Sequence, residues 1–238
     1  MLKMTDYITH LNQKFEGLNL IKAFEMLSLE NFKTPAFSTS FGLEDQVLTH
    51  HIFSHKHPIK VFTLDTGRLF EETYKVFNAT QRKYDLPIIT YFPESQDIEK
   101  LLYTKGPFSF YNSVEDRKEC CHLRKVKPLQ RSLQGVDLWI TGLRAEQSNT
   151  RQQLNLFQYD DAFGLIKFNP LAYWTLESVE TYLKEHKVPQ NKLHRKGYLS
   201  IGCAPCTRAI RPGEDIRAGR WWWESSKKEC GLHQATKA

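Results

Sequence analysis

The sequence predicts an α/β fold in which a mostly parallel sheet is flanked by helices. Short apolar segments typical of buried strands alternate with longer segments that carry apolar residues at helical spacing. Strands that alternate with helices usually pair in parallel through right-handed crossovers. The composition, with 40% hydrophobic residues, is that of a globular protein and not of a disordered chain.

Four segments are predicted to be strands because they are short, apolar and bounded by turn residues. They are AFSTS (36–40), KVFTLD (60–65), PIITYF (87–92) and DLWIT (137–141).

Helices are predicted between and after these strands. Residues 19–30 place Leu20, Ala23, Phe24 and Leu27 on one helical face. The other predicted helices follow SFGLED (40–45), run from TGRLFEET (66–73) to about Tyr84, or cover SQDIEKLLY (95–103), residues 119–133 and TLESVETYLKEH (175–186). Ser95 and Thr175 are the predicted N-caps of two of them.

Three loops that follow predicted strands are candidates for ligand binding. They cover residues 40–45, 65–72 and 142–151, and each is rich in glycine, hydroxyl or charged residues. In parallel sheets ligands bind beyond the carboxyl ends of the strands. This rule draws attention to the three loops as candidate ligand-binding loops.

Composition excludes several classes of protein. No apolar run approaches the roughly 20 residues of a membrane span, and the N-terminal segment lacks a signal-peptide pattern, so we expect a cytoplasmic protein with no membrane partner. The formal net charge of +6 suits an anionic partner such as a nucleotide. No basic run is long enough to predict nucleic-acid binding.

Four of the five cysteines form two pairs, Cys120 with Cys121 and Cys203 with Cys206. Sets of four thiolates hold zinc or an iron–sulfur cluster. The adjacent pair favours a cluster, because zinc sites usually space their cysteines by two to four residues. A thioredoxin-like dithiol and a strained vicinal disulfide are the alternatives.

The fifth cysteine, Cys230, lies in the basic segment KKECGLH (227–233). Nearby lysine or protonated histidine lowers the pKa of a thiol and so favours the reactive thiolate. The local sequence is compatible both with a nucleophile and with an incidental surface thiol.

Several cations lie beside the cysteines or the strand-end loops. Lys125 follows the adjacent cysteine pair by about one helical turn, and Arg217 and Arg220 are spaced to share a helix face. Arg144 and Arg151 lie in or beside the loop after DLWIT. Guanidinium groups suit phosphate and sulfate oxygens, so these residues are candidates for anion binding.

Two further patterns are given structural interpretations. His51 and His55 have the i,i+4 spacing of metal ligands, but no third ligand is evident and a solvated helix face is predicted. Three consecutive tryptophans, residues 221–223, are predicted to anchor a tail that begins near Gly202.

Together these motifs give a family resemblance that covers nearly the whole chain. The stretches that carry it are SFGLEDQVL, LDTGRLFEET, ECCHLRKVKPL, ITGLRAEQSNTR, HRKGYLSIGCAPCT, RAGRWWW and KKECGLH. The sequence resembles the sulfonucleotide reductases, and specifically the iron–sulfur adenylyl-sulfate reductases of assimilatory sulfate reduction and cysteine biosynthesis. The two cysteine pairs are similar to those of the branch that contains a cluster.

The resemblance implies a fold like that of the adenine nucleotide α-hydrolases, with a modified phosphate loop at residues 40–45. It implies one sulfonucleotide-binding domain with an iron–sulfur site over residues 1–206. A partly mobile C-terminal segment, residues 207–238, would carry the nucleophile. One 4Fe-4S cluster would be held by the two cysteine pairs.

The resemblance also implies a reaction. The thiolate of Cys230 would attack the sulfate sulfur of adenylyl sulfate, AMP would leave, and thioredoxin would release sulfite from the S-sulfocysteine. Lys125 would lie between cluster and substrate, and His233 beside the nucleophile. The implied substrate-binding residues are Ser40, Gly42, Leu64, Thr66, Gly142, Arg144, Arg151, Arg217 and Arg220, and the implied metal ligands are Cys120, Cys121, Cys203 and Cys206.

Three alternatives remain at this stage. Phosphoadenylyl sulfate is the nearest alternative substrate. An ATP-pyrophosphatase would carry S-G-G-x-D-S, from which SFGLED departs. An iron–sulfur redox sensor would need a basic recognition helix that the sequence does not contain. The oligomeric state is left open, and a homo-oligomer is allowed.

Overall fold

A computed structural model describes residues 4–147 and 153–224 of the chain. These residues contain one six-stranded sheet with helices packed against it. The strand order is β3-β2-β1-β4-β6-β5, and every neighbouring pair is parallel except β5 with β6. The strands are Pro35–Thr39 (β1), Lys60–Leu64 (β2), Ile89–Tyr91 (β3), Leu138–Ile140 (β4), Phe157–Asp160 (β5) and Leu165–Phe168 (β6). The predicted α/β class and parallel pairing are confirmed.

Eight α-helices surround the sheet in the described residues. They are Met4–Phe15 (α1), Leu20–Leu29 (α2), Leu43–Ser54 (α3), Glu71–Tyr84 (α4), Ser95–Lys105 (α5), Val114–Cys121 (α6), Lys127–Ser132 (α7) and Leu176–Glu185 (α8). None of them is long and apolar enough to cross a membrane.

The central strands bury both of their faces, since alternate side chains point into two different hydrophobic clusters. Phe37 and Ile140 belong to the larger cluster, in which the predicted apolar face of α2 is buried. Phe62 and Trp139 belong to the smaller cluster on the opposite face, where α7 packs. This two-sided burial explains why the predicted strands read as continuous apolar runs.

Two helix starts differ in the structure from the prediction. Glu94 is the N-cap of α5, so the predicted cap Ser95 is wrong and is instead the first helical residue. The helix predicted from TGRLFEET begins only at Glu71. The predicted Thr175 cap of α8 is confirmed, because its side chain accepts a hydrogen bond from the Ser178 backbone N–H.

The helical segment predicted at residues 119–133 is longer and less regular than expected. It starts at Val114, contains a π-helical turn over His122–Val126, and ends with α7. The wider turn changes which side chains share a face, and such turns are frequent at functional sites.

The beginning of the predicted tail is packed onto the domain. Thr207 and Arg220 form an antiparallel bridge, and Trp221 is 1% exposed, which agrees with the predicted anchoring role of the tryptophans. The division at residue 206 stays a prediction, and residues 225–238 lie outside the described residues.

The prediction of a solvated helix face is wrong for His51 and correct for His55, which is exposed. His51 is only 1% exposed, and a turn at Lys56, whose φ is 53°, brings His57 back onto the end of α3. His57 is the third ligand candidate that spacing on the helix alone does not reveal.

Candidate active site

A cavity of about 960 Å³ lies at the carboxyl ends of the central strands. The strands β2 and β3, which follow β1, lie on one side of it in the sheet, and the strands β5 and β6, which follow β4, lie on the other side. A crevice therefore forms between the loops that follow β1 and β4. The cavity is lined by residues of the loops after β1, β2 and β4, including Ser40, Gly42, Leu64, Thr66, Gly142 and Arg144. Described residues of all three candidate loops therefore line one cavity.

The loop after β1 presents the start of a helix to this cavity. Gly42 is the N-cap of α3, and Ser40 donates hydrogen bonds from its backbone N and its Oγ to Asp45 Oδ2, at 2.6 and 2.7 Å. The first N–H groups of a helix have no intrahelical acceptors, and the helix dipole adds positive potential there. The loop is therefore suited to bind an anion.

The Asp45 carboxylate holds this loop in place by accepting both hydrogen bonds from Ser40. Burial raises the pKa of Asp45 to about 6, although hydrogen bonds from Ser40 act in the opposite direction. In the unfolded chain the Asp45 carboxyl has an ordinary pKa of about 3.9, so it loses its proton at a pH about two units lower than in the folded chain. The stability that Asp45 contributes is therefore complete below about pH 4 and is lost as the pH rises through about 6.

The Asp45→Asn variant should lack this pH dependence. Relative to the variant, the wild-type free energy of unfolding should fall by up to about 3 kcal/mol between pH 4 and pH 7. Urea unfolding of the nucleotide-free proteins at several pH values measures the difference, with the exposed Asp161→Asn as the control. Parallel pH profiles for wild type and Asp45→Asn would show that the Asp45 pKa is not raised.

Gly142 and Arg144 shape the loop after β4. A Cβ at Gly142 would collide with the Asp45 carboxylate and approach the Asp45 backbone N to 3.2 Å, so only glycine allows the two loops to meet. The Arg144 guanidinium is bound at 2.9 Å by both Glu44 and Glu146. Arg144 thus lines the cavity, but its described contacts hold the loops together.

A second, smaller cavity is surrounded by the four paired cysteines. Cys120 and Cys121 lie at the end of α6, while Cys203 is the N-cap and Cys206 the last residue of the short 3-10 turn Ala204–Cys206. All four are free thiols, and all line this cavity. The fold therefore brings the two cysteine pairs together around one cavity.

These thiols are grouped in an environment that disfavours bare thiolates. Burial raises the pKa of Cys206 to about 12, and the neighbouring Cys203 and Cys121 raise it further. Burial also raises the pKa of Cys120, against the influence of Arg124 and Arg68. Four thiolates in one buried space require nearby positive charge, which bound metal ions would supply.

Thr66 connects the two cavities. It is 1% exposed, lines the larger cavity and is hydrogen-bonded to two residues of the cysteine cavity. Its carbonyl accepts a 2.6 Å hydrogen bond from Arg124, and its hydroxyl accepts one from the Cys203 thiol at 3.3 Å. A change at the cysteines can therefore reach the loop after β2 through a single residue.

Lys125 lines both cavities. It lies within the π-helical turn, so the irregular helix brings it between the cysteines and the larger cavity. The expected role of Lys125 between a cluster and a substrate stays a prediction.

Arg217 and Arg220 line the larger cavity from the C-terminal side. Arg220 is 6% exposed and lies over the Trp221 ring at 4.6 Å, and a Cβ at Gly202 would collide with its guanidinium. Its Nε is buried without a hydrogen-bond acceptor among the described residues. A buried guanidinium donor of this kind fits an anionic ligand.

Three arginines around the cysteines were not predicted. Arg68, Arg117 and Arg124 line the cysteine cavity. Arg117 also makes a paired interaction with Glu224, with both N–O distances 2.9 Å and both side chains at most 5% exposed. Arg117 lies three residues before Cys120, so the two residues share a helix face. This spacing could have identified Arg117 from the sequence.

Three predicted site residues lie outside the described residues. They are Arg151, His233 and Cys230.

Comparison with known proteins places this architecture in context. The family model described as phosphoadenosine phosphosulfate reductase domain matches residues 34–209, well over half of the chain. A protein of Sinorhizobium fredii named adenosine 5'-phosphosulfate reductase is 48% identical over 230 residues, covering 96% of this chain and 91% of the relative. One of Burkholderia cepacia with the same name is 51% identical over 201 residues, covering 84% and 80%.

Solved structures agree with the fold. The phosphoadenylyl-sulfate reductase of Candida auris, in complex with phosphate, superposes with a TM-score of 0.74 at 28% identity, covering 88% of this chain and 99% of that one. The FMN adenylyltransferase of Candida glabrata with ATP has a TM-score of 0.52 at 17% identity, covering 82% and 60%. The second likeness is one of fold alone.

Proposed function

The chain belongs to the family described as phosphoadenosine phosphosulfate reductase domain, together with the adenosine 5'-phosphosulfate reductases, and from this premise we propose that it reduces adenylyl sulfate to sulfite and AMP with thioredoxin as electron donor. The observation that carries the proposal is the pairing of two adjoining cavities, one at the strand ends and one lined by four cysteines, with Lys125 in both. A sulfonucleotide suits the first cavity and an iron–sulfur cluster the second.

In this proposal the nucleotide occupies the cavity at the carboxyl ends of the strands. Main-chain groups near Leu64, Thr66 and Gly142 hold the adenosine. The loop with Ser40 and Gly42, at the start of α3, approaches the phosphosulfate. Support comes from the free helix N–H groups of that loop and from the size of the cavity.

Cations hold the phosphosulfate and make the chemistry possible. A thiolate that attacks a sulfate brings negative charge towards negative charge, so the site must supply positive charge in advance. Arg217, Arg220 and Lys125 line the cavity, and the buried Nε of Arg220 lacks an acceptor within the described chain. Arg151 is the further proposed contact.

The four paired cysteines are proposed to hold one 4Fe-4S cluster. All four cysteines line one cavity. The adjacent pair Cys120 and Cys121 lacks the spacing of two to four residues that structural zinc sites usually have, which supports a cluster over a single zinc ion. When bound, the cluster would offset part of the negative charge of the thiolates and join α6 to the turn Ala204–Cys206, in an electrostatic or structural role.

The nucleophile is proposed to be Cys230, on a C-terminal segment that begins at residue 207. Residues up to Glu224 are held on the domain by the Arg117 pair and by the buried Trp221. Cys230 follows Glu224 by six positions, which an extended chain spans in about 20 Å.

The proposed reaction proceeds in two displacements. The Cys230 sulfur bonds to the sulfate sulfur while the bond from that sulfur to the bridging phosphate oxygen breaks, and its electron pair leaves with AMP. His233 is proposed to lie beside the thiolate. A thioredoxin thiolate then attacks the Cys230 sulfur, sulfite leaves, and the second thiol of the donor closes its disulfide and frees Cys230. The donor loses the two electrons that convert sulfate to sulfite.

A cytoplasmic location is part of the proposal. Reduced cysteines and a dithiol donor both require a reducing compartment, which the cytoplasm provides.

Sulfite release by the anaerobically purified enzyme with thioredoxin tests this function. Adenylyl sulfate and phosphoadenylyl sulfate are offered in separate reactions, and we expect release chiefly from adenylyl sulfate. Release chiefly from the 3'-phosphorylated substrate would overturn the substrate assignment but keep the chemistry. Release from neither substrate, with the iron retained, would favour the redox-sensor alternative.

A further inference from the structure

We propose that His51, His55 and His57 form a second metal site, separate from the cysteine site, which binds a divalent transition cation of the zinc class. Each of these residues offers one ring nitrogen, and the three nitrogens lie within 4.8 Å of one another. Nitrogens bonded to one tetrahedral zinc, with Zn–N bonds of about 2.0–2.1 Å, would lie roughly 3.4 Å apart. Small side-chain rotations would therefore bring the three nitrogens into bonding distance.

The backbone around these histidines is already fixed. His55 is the C-cap of α3, and hydrogen bonds from Lys56 N to Phe53 O at 3.2 Å and from His57 N to Ile52 O at 3.0 Å close the turn that follows. These bonds hold His57 beside the end of the helix. A site on such a fixed turn requires little backbone ordering when it binds a metal.

The unmet hydrogen bonds in this cluster point to a ligand. His51 is 1% exposed, and its Nε2 is buried without a hydrogen-bond partner among the described residues, as is Nε2 of the partly buried His57. A buried ring nitrogen without a partner costs free energy that coordination would recover. Two such nitrogens on neighbouring rings are better explained by a shared ligand than by packing alone.

His55 has the orientation that metal-bound histidines usually adopt. Its Nδ1 lies 2.9 Å from the His51 carbonyl oxygen, so Nδ1–H is the donor of this bond and Nε2 carries the lone pair. Ligating histidines commonly donate their second ring N–H to a backbone carbonyl in this way. His55 is exposed, which gives a cation access from solvent.

The surroundings favour neutral imidazole, the form that binds metals. The Phe24 ring lies against His51 and His57, with centroid distances of 4.6 and 5.1 Å. Three imidazoles match the ligand preference of zinc, nickel and copper.

The position of the cluster indicates a stabilising role. It lies at the opposite end of α3 from Gly42, roughly 15 Å along the helix axis from the candidate active site. A cation bound there would join the end of α3 to the connection that leads into β2. Because the cation would bind only the folded chain, it would raise the free energy of unfolding.

Equilibrium dialysis of the anaerobic, iron-loaded enzyme against Zn²⁺ tests the site, with zinc and iron counted per chain. We expect wild type to bind about one zinc without losing iron, and zinc to raise the temperature of unfolding. His55→Gln and His57→Gln should weaken zinc binding at least about tenfold, because loss of a direct ligand should exceed the effect of losing an outer-shell partner. The matched control is His10→Gln, an exposed histidine on α1, which should bind zinc as wild type does.

Two outcomes would overturn the proposal. One is the absence of zinc binding by the iron-loaded wild type. The other is equal zinc binding by wild type, His55→Gln and His57→Gln, which would assign the zinc to other groups. Sulfite release by His55→Gln should equal that of wild type, so failure of the metal site and failure of the proposed reductase activity are distinguishable.

Discussion

Replacement of Cys230 by serine should reduce sulfite release by at least about a thousandfold, the scale on which other enzymes lose rate with their covalent nucleophile. A serine hydroxyl is not ionised at neutral pH, whereas the thiolate is the attacking form of cysteine. Binding of AMP and the iron content should be unchanged, because the proposed nucleotide and cluster contacts come from other residues.

Steady-state sulfite release, AMP binding by calorimetry and iron analysis measure the three quantities. Ser226→Ala, in the same C-terminal segment, is the matched control and should release sulfite as wild type does. A Cys230→Ser variant that keeps its full rate would remove Cys230 from the mechanism.

Loss of Lys125 should have the second largest effect. Lys125 lines both the cysteine cavity and the larger cavity. If its ammonium stabilises charge that develops on the sulfate during attack, Lys125→Ala should lower kcat by about 100-fold or more, as removal of one such group does elsewhere. KM should change much less, and Lys125→Arg should recover part of the rate.

Lys127→Ala is the matched control for this experiment. Lys127 is two residues further along the same helical segment and pairs with Asp97 at 2.8 Å on the surface. It should keep nearly the wild-type kcat, since exposed ion pairs contribute little. If Lys125→Ala retains its iron and also keeps the wild-type kcat, Lys125 does not act in the reaction.

The sequence was most informative where burial imposes a simple pattern. Strands β1, β2 and β4 lie inside the sheet with helices on both faces, so they are continuous apolar runs that are easily recognised. The hairpin of β5 and β6 was missed. Its strands have four residues each and include the buried ion pair of Lys167 with Asp160, so charged residues interrupt the apolar pattern.

The candidate site was predicted only in part, because the apolar pattern of the sequence does not show which distant residues the fold brings together. The two cysteine pairs can be recognised from their spacing in the sequence. Arg68, Arg117 and Arg124 lie in separate segments, and only the fold brings them to the cysteines. The π-helical turn that contains Lys125 also has no signal in the apolar periodicity, because it changes hydrogen bonding over five residues only. The histidine cluster was missed because His57 follows the helix instead of lying on it.

The most direct test of the central claim is a single turnover of wild-type enzyme with excess adenylyl sulfate and no thiol donor. AMP release and the mass of each cysteine-containing peptide are measured together. We expect about one AMP per chain and one added SO₃ group on the peptide that contains Cys230, because the covalent intermediate cannot turn over without a donor. AMP release without an adduct, or an adduct on one of the four paired cysteines, would contradict the proposed mechanism.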